Sequence, residues 1–325
     1  MNIIHSLQKK QTYFTALVIL IFAAVTLMPT TVRADNESCA MDSLFPDHGN
    51  CGYDVTAYDI KFDWDRDLNL LKGDVTIEVT ALSDLEKITF DFATRNIVSD
   101  VLLDLASIPY IHQDGDLILD FPMKAGENAA FRVLYSGPIE TVSFFKNGNH
   151  RKSGDPFCLF NEPDMASSWF PCNDSLTDKA LYRAEITVPA DFIAASNGRL
   201  VEVIDADGTA IANPDSAALS ALSAQSAAYE KYTGIIPRVT YRYESGTSMA
   251  AYLFTICVDR FEVKQQTILG NVLRTDFIDR GLVAAAEFSA AAEKLEEMAE
   301  CFEPMTGAYP FRDAGSVVIN TSFGG

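Results

Sequence analysis

Tyr58-Asp59-Ile60-Lys61-Phe62-Asp63-Trp64 sets a large apolar side chain on every second residue and a charge on each residue between. An extended backbone sends successive side chains to opposite faces, so the four aromatic and aliphatic groups share one face and the charges share the other. A helix would scatter the same four around its circumference. The alternation returns at Val75, Ile77 and Val79, at Ile88, Phe90 and Phe92, at Leu117, Leu119 and Phe121, and at Phe131, Val133 and Tyr135. It resumes at Tyr182, Ala184, Ile186 and Val188, and again at Val239, Tyr241 and Tyr243. Turn residues separate the runs, at Asp65 to Asp67, Asp114-Gly115-Asp116 and Gly137-Pro138. Many short strands spaced in this way predict a mainly β fold, an antiparallel β-sandwich extending to about Glu262.

Two stretches break the pattern. Asn213 to Tyr229 is rich in Ala and Ser with few large apolar side chains, which predicts a surface insertion or loop. Ser143 to Asp155, with Lys146, Gly148, Lys152 and Gly154, predicts an exposed loop. After Glu262 the chemistry changes. Leu282, Ala285, Ala286, Phe288, Ala292, Leu295, Met298 and Phe302 recur at helical spacing and predict an amphipathic helix over Gly281 to Phe302. Pro304 and Gly307 are its expected stop signals, and Ser316 to Ile319 reads as a buried strand. Helix then strand after an all-β region predicts that a second, mixed α/β domain opens here.

Lys9 and Lys10 precede an apolar run from Tyr13 to Met28, and Val32-Arg33-Ala34 follows. This is the layout of a signal peptide, residues 1–34, and the run is shorter than the roughly 20 residues of a membrane-spanning helix, so no stable membrane anchor is expected. Export to a periplasmic or extracellular space follows. The formal net charge is −20, and loss of three cations with no acid would take it to −23, which argues against nucleic acid as a partner. Six cysteines, at 39, 51, 158, 172, 257 and 301, all lie beyond the cleavage point. Local spacing favours the disulfides Cys39–Cys51 and Cys158–Cys172 among about 15 connectivities. No C-x-x-C pair exists, and His5, His48, His112 and His150 are scattered, which disfavours a zinc reading of the cysteines.

The block Asn161-Glu162-Pro163-Asp164-Met165-Ala166-Ser167-Ser168-Trp169-Phe170-Pro171-Cys172-Asn173-Asp174, with Asp178-Lys179-Ala180 and Tyr182 to Pro189 behind it, resembles the aminopeptidase N family of zinc peptidases. That family has an E-P step before an F-P-C-x-D block, then K-A and a strand ending in V-P. Ala195-Ser196-Asn197-Gly198-Arg199-Leu200 is similar to its S-N-G-x-L turn, and Ala251-Tyr252-Leu253-Phe254 to its Y-L strand. Phe302-Glu303 with Gly307-Ala308-Tyr309-Pro310-Phe311 resembles its Y-P-F block. Five matches in order, from about residue 51 to the last, make chance similarity a poor account.

The resemblance implies a saddle-like β domain over residues 35–262 and the start of a thermolysin-like catalytic domain over 263–325. In that family a zinc held by H-E-x-x-H and a downstream Glu activates water for attack on the first peptide bond. No histidine here has a second one four residues on, and the chain stops at Gly324-Gly325, where the family's G-A-M-E-N-like motif begins. The resemblance therefore implies a chain truncated before its zinc motif and inactive alone, with the catalytic part absent or separately encoded. It assigns Glu162 to the α-amine of a peptide substrate, since a carboxylate pairs with an ammonium. The family's companion Gln two positions earlier is replaced by Phe160, which weakens exopeptidase specificity. Gly324 and Gly325 would contact substrate backbone in an intact enzyme. Asp174 and Lys179 read as ties between loops, Trp169 and Phe170 as core, and Cys172 as a disulfide or buried thiol. Asn36, Asn173 and Asn320 begin N-x-S/T triplets. The competing reading is a non-catalytic exported β-sandwich that binds peptide or protein. An unrelated lipid- or sugar-binding sandwich would require the five ordered matches to be accidental.

Overall fold

The structure, a computed structural model, describes residues 48–139, 156–162, 165–282 and 294–319. The signal-peptide region, Cys39, the loop expected at Ser143 to Asp155, the first part of the C-terminal helix, Asn320, Gly324 and Gly325 lie outside the described residues.

The first part of the chain folds as β1 (Tyr53–Asp65), β2 (Leu70–Ala81), β3 (Ile88–Asp91), β4 (Ile97–Leu103), β5 (Ala106–Ser107), β6 (Tyr110–Gln113), β7 (Asp116–Leu119) and β8 (Asn128–Pro138). Then come β9 (Phe157–Leu159), β10 (Lys179–Pro189), β11 (Ile193–Ser196), β12 (Arg199–Ile204) and β13 (Ala210–Ala212). Helix α1 (Ser216–Thr233) precedes β14 (Arg238–Glu244), β15 (Met249–Ala250), β16 (Ile256–Asp259), β17 (Phe261–Ile268) and β18 (Val272–Asp279). Helix α2 (Leu295–Thr306) and β19 (Asp313–Val318) follow. The large sheet runs β13-β12-β14-β10-β1-β2-β8-β4-β5, with β15 on β10, and three small sheets are β11-β16-β9, β3-β7-β6 and β17-β18-β19.

The alternation quoted above is the phase of β1 against the core. A bulge between Val55 and Ala57 resets it, so Tyr53 and Val55 on one side and Tyr58, Ile60, Phe62 and Trp64 on the other are all buried. Without that extra residue one set would face water. The apolar face of β1, β2, β8, β10 and β14 packs with Ile88, Phe90, Leu117 and Leu119 of β3 and β7 in one hydrophobic cluster. The opposite face of the large sheet carries cross-strand ion pairs: Arg132–Asp74 at 2.6 Å, Arg183–Glu78 at 2.8 Å, Arg238–Asp63 at 2.7 Å and Lys61–Glu185 at 3.6 Å. Each exposed pair is worth little alone, ~0–1 kcal/mol, but the row keeps that face charged and solvated.

Four expectations need correction. The sandwich is not wholly antiparallel: β10 lies parallel to β1, with Ala57 opposite Leu181, because the chain returns to that edge only after a long excursion. Asn213 to Tyr229 is largely helix, not loop. Asp215 caps it by accepting from the Ala218 amide at 2.8 Å, Gly234 closes it at φ 68°, and among its described side chains Leu219 and Leu222 are the ones buried in the core. Its Ala-rich composition supplies propensity where apolar burial is slight. Helix α2 runs through Pro304 to Thr306, and Gly307, at φ 92° with its N–H on the Glu303 carbonyl, is the stop. The ring removes one amide near the end of a helix that Gly307 then closes. Finally, β19 is half-exposed rather than buried, and Leu295, Met298, Phe302, Met305 and Phe311 stand in solvent.

Candidate functional site

Glu162 sits on an exposed turn directly after β9, and the residue beside it explains why the turn holds its place. Asn161 is 2% exposed. Its side-chain amide donates to the Phe254 carbonyl, its side-chain oxygen accepts from Trp169 Nε1 at 2.6 Å, and its backbone carbonyl accepts from the Met165 amide at 2.8 Å. A buried carboxamide with both ends bonded fixes the backbone on either side of it. Trp169 in turn lies against Phe62, Phe170 and Phe254, with ring centroids 5.1, 4.8 and 5.7 Å away, and its carbonyl accepts from Tyr135 Oη at 2.6 Å. Phe160, at 37% exposed, stands where a companion amide was sought.

The Ser196-Asn197-Gly198 turn braces the same region from the other side. Asn197 Oδ1 accepts from the Thr255 amide at 2.7 Å, and Ser196 Oγ donates to the Thr255 carbonyl at 2.9 Å. Gly198 has φ 84°, and a Cβ there would lie 2.2 Å from the Glu244 carbonyl oxygen, so only glycine fits.

Behind the block lies a buried carboxylate network that sequence reasoning largely missed. Asp91 accepts from the amides of Asp174 at 2.9 Å and Gly49 at 3.3 Å and from Asn50 Nδ2 at 3.2 Å. Asp174 accepts from the Ser167 amide at 3.0 Å, which bears out its reading as a loop tie. Asp178, not Lys179, makes the neighbouring tie, accepting from Asn173 Nδ2 at 2.6 Å and from the Val55 amide. The usable signal was an acid inside the apolar run Phe90-Asp91-Phe92. Asn173 is buried and bonded on both ends of its carboxamide, so it cannot serve as a glycosylation site.

Burial raises the carboxyls of Asp91 and Asp178 from 3.8 to about 6, partly offset by the hydrogen bonds they accept. The folded chain thus holds protons that the unfolded chain releases between pH 4 and 6. Their contribution is fully present below pH 4 and lost as pH rises through about 6. For Asp91 this amounts to about 3 kcal/mol. The difference in urea stability between the wild type and Asp91→Asn should therefore move by about that much, in the variant's favour, from pH 4 to 7. A pH-independent difference would refute the assignment.

The disulfide expected between Cys158 and Cys172 is not formed. Cys158 is bonded to Cys257, which β16 places directly opposite it, and not to Cys172. Cross-strand register overrides closeness in sequence. Cys172 is a buried free thiol whose pKa is pushed up by burial and by Asp174 and Asp91, so it is no nucleophile. Cys51 is disulfide-bonded. His112 stacks on Phe92 and contacts its carbonyl at 3.0 Å through Nε2. Among the described residues no group of three or more His, Cys, Asp or Glu is arranged to hold a metal ion, and no helix is long and apolar enough to cross a membrane.

Residues 55–213 match the family model of the peptidase M1 N-terminal domain. The fold is similar to that of an M1 zinc metallopeptidase from Deinococcus radiodurans, at 21% identity and TM-score 0.67, over 86% of this chain and 59% of that one. A mutant of that enzyme bound to a Tyr-Ser-Ala substrate matches at 22% identity with the same coverage and TM-score. A two-domain M1 zinc metallopeptidase mutant bound to L-tryptophan matches at 22% identity and TM-score 0.67, over 86% of this chain and 60% of that one. At this identity the likeness is one of fold, and the chain spans about 59% of those proteins' length. No curated protein matches the chain.

Proposed function

We propose that this chain, whose residues 55–213 match the model of the peptidase M1 N-terminal domain, forms the front of an exported zinc-dependent aminopeptidase, with a β domain over 35–262 and the catalytic domain beginning within 263–325. The observation that carries the reading is Glu162 exposed on a turn whose neighbour Asn161 is buried and locked. A carboxylate held there suits the ammonium of a peptide's first residue, and one of the similar structures is bound to a Tyr-Ser-Ala substrate. Among the described residues no cluster is arranged to hold zinc, and in this reading the chain's own residues would bind and orient the substrate, while a zinc held by the catalytic domain would supply the activation of water. The exposed Leu295, Met298, Phe302 and Met305 fit a surface that further catalytic-domain sequence covers, and they count against a self-sufficient binding module. The Cys158–Cys257 bond favours an oxidising compartment, in keeping with the signal-peptide reading.

Titrating the full chain with Tyr-Ser-Ala and with its N-acetylated form tests this. The free amine should bind roughly tenfold to a hundredfold tighter, and Glu162→Gln should erase the difference. Equal binding of both peptides by the wild type would sink the assignment of Glu162.

A further inference from the structure

The strand that delivers Glu162 is only three residues long, too short to hold itself in place by pairing alone. Its registered partner is β16: Phe157 faces Val258, Cys158 faces Cys257 and Leu159 faces Ile256. The disulfide joins the central pair, across a sequence separation of 99 residues. Beyond the strand, Asn161 reaches the Phe254 carbonyl, just before β16 begins. The approach to Glu162 is thus fastened twice to one segment, covalently at 257 and by a buried hydrogen bond at 254. That segment is itself braced by Asn197 and Ser196 at Thr255.

We propose that Asn161 and the Cys158–Cys257 disulfide form a positioning clamp for Glu162, and that a dithiol reductant opens it. The inference rests on the Glu162 reading only for what the clamp serves. Cys257 is buried and Cys158 partly exposed, so attack falls on the Cys158 sulfur. The reductant's thiolate forms a mixed disulfide there as the S–S bond breaks and Cys257 leaves as a thiolate. The reductant's second thiol then closes its own disulfide and releases Cys158. Two electrons and two protons pass to the cysteines, and the reductant departs oxidised. Losing a link that closes so long a loop should raise the open population of β9 on the order of a hundredfold.

Hydrogen exchange on the full chain tests the clamp directly. The amides of Phe157 and Leu159 and the Trp169 indole N–H should exchange about a hundredfold faster in Cys158→Ala/Cys257→Ala and after dithiothreitol, while Ile60 and Val75 stay protected. Asn161→Leu should speed the Trp169 indole and the Met165 amide with the disulfide intact. Asn161→Asp, which keeps an acceptor for Trp169 but sets a buried carboxylate oxygen against the Phe254 carbonyl, gives the same effect. Unchanged exchange at 157 and 159 overturns the clamp, and so does uniform acceleration that includes Ile60 and Val75. Positioning further requires that preference for Tyr-Ser-Ala over its acetylated form fall tenfold or more in the loosened variants; preference retained beside faster exchange overturns that role. If the wild type shows no preference, the Glu162 reading fails while the exchange result still decides the clamp.

Discussion

Trp169→Ala should lower the free energy of unfolding by about 4–5 kcal/mol, measured by urea denaturation. The side chain is 5% exposed and lies against Phe62, Phe170 and Phe254, so truncation opens a cavity in an aromatic cluster of the core. It also strips Asn161 Oδ1 of its donor, which leaves a buried oxygen unsatisfied. Trp169→Phe keeps an aromatic ring in the site while losing the indole N–H and part of the ring volume, for a smaller loss of about 1–3 kcal/mol. A loss under about 1 kcal/mol for the alanine variant would mean that Trp169 is not the hub described.

Arg274→Ala is expected to cost about 3–5 kcal/mol, since it strands a buried carboxylate. Arg274 and Asp276 lie on one face of β18 with side chains 3% and 7% exposed, paired at 2.7 Å, and Ser316 Oγ donates to Asp276 at 2.8 Å. This pair joins the middle of the β17-β18-β19 sheet to its last strand. Arg274→Leu with Asp276→Leu should recover most of the loss, because an apolar pair needs no desolvation of charge. A double variant as unstable as the single one would show that the ion pair itself holds the sheet.

The strands were legible because half-burial imposes a period of two on the residues themselves. Each apolar set named from Tyr58 to Tyr243 is buried, with Phe121 partly so. The parallel seat of β10 beside β1 was not legible, since nothing local to either strand encodes a neighbour more than a hundred residues away. Helix α1 was not legible because its Ala/Ser composition resembles a linker's, with Leu219 and Leu222 the buried apolar groups among its described side chains. The block singles out Glu162 as a candidate, whereas the packing roles of Asn161, Asp91 and Asp178 were not legible. A polar residue declares its role only through partners, and theirs come from Trp169, Phe254, Asp174 and Val55. The cysteine pairing failed for the same reason, because Cys158 and Cys257 meet through strand register.

The seat of β10 also bears on how the protein is made. Strand β1 pairs with β2 soon after both emerge from the ribosome, but its other edge waits for Leu181 and the residues after it. At ordinary synthesis rates that wait is roughly 6 to 25 seconds for a sequence separation of 124 between partners. Throughout it Tyr58, Ile60, Phe62 and Trp64 lie beside an open strand edge, the kind of template that recruits other nascent chains. Holding factors that bind extended apolar segments should therefore engage this protein early, at β1, and leave when β10 arrives.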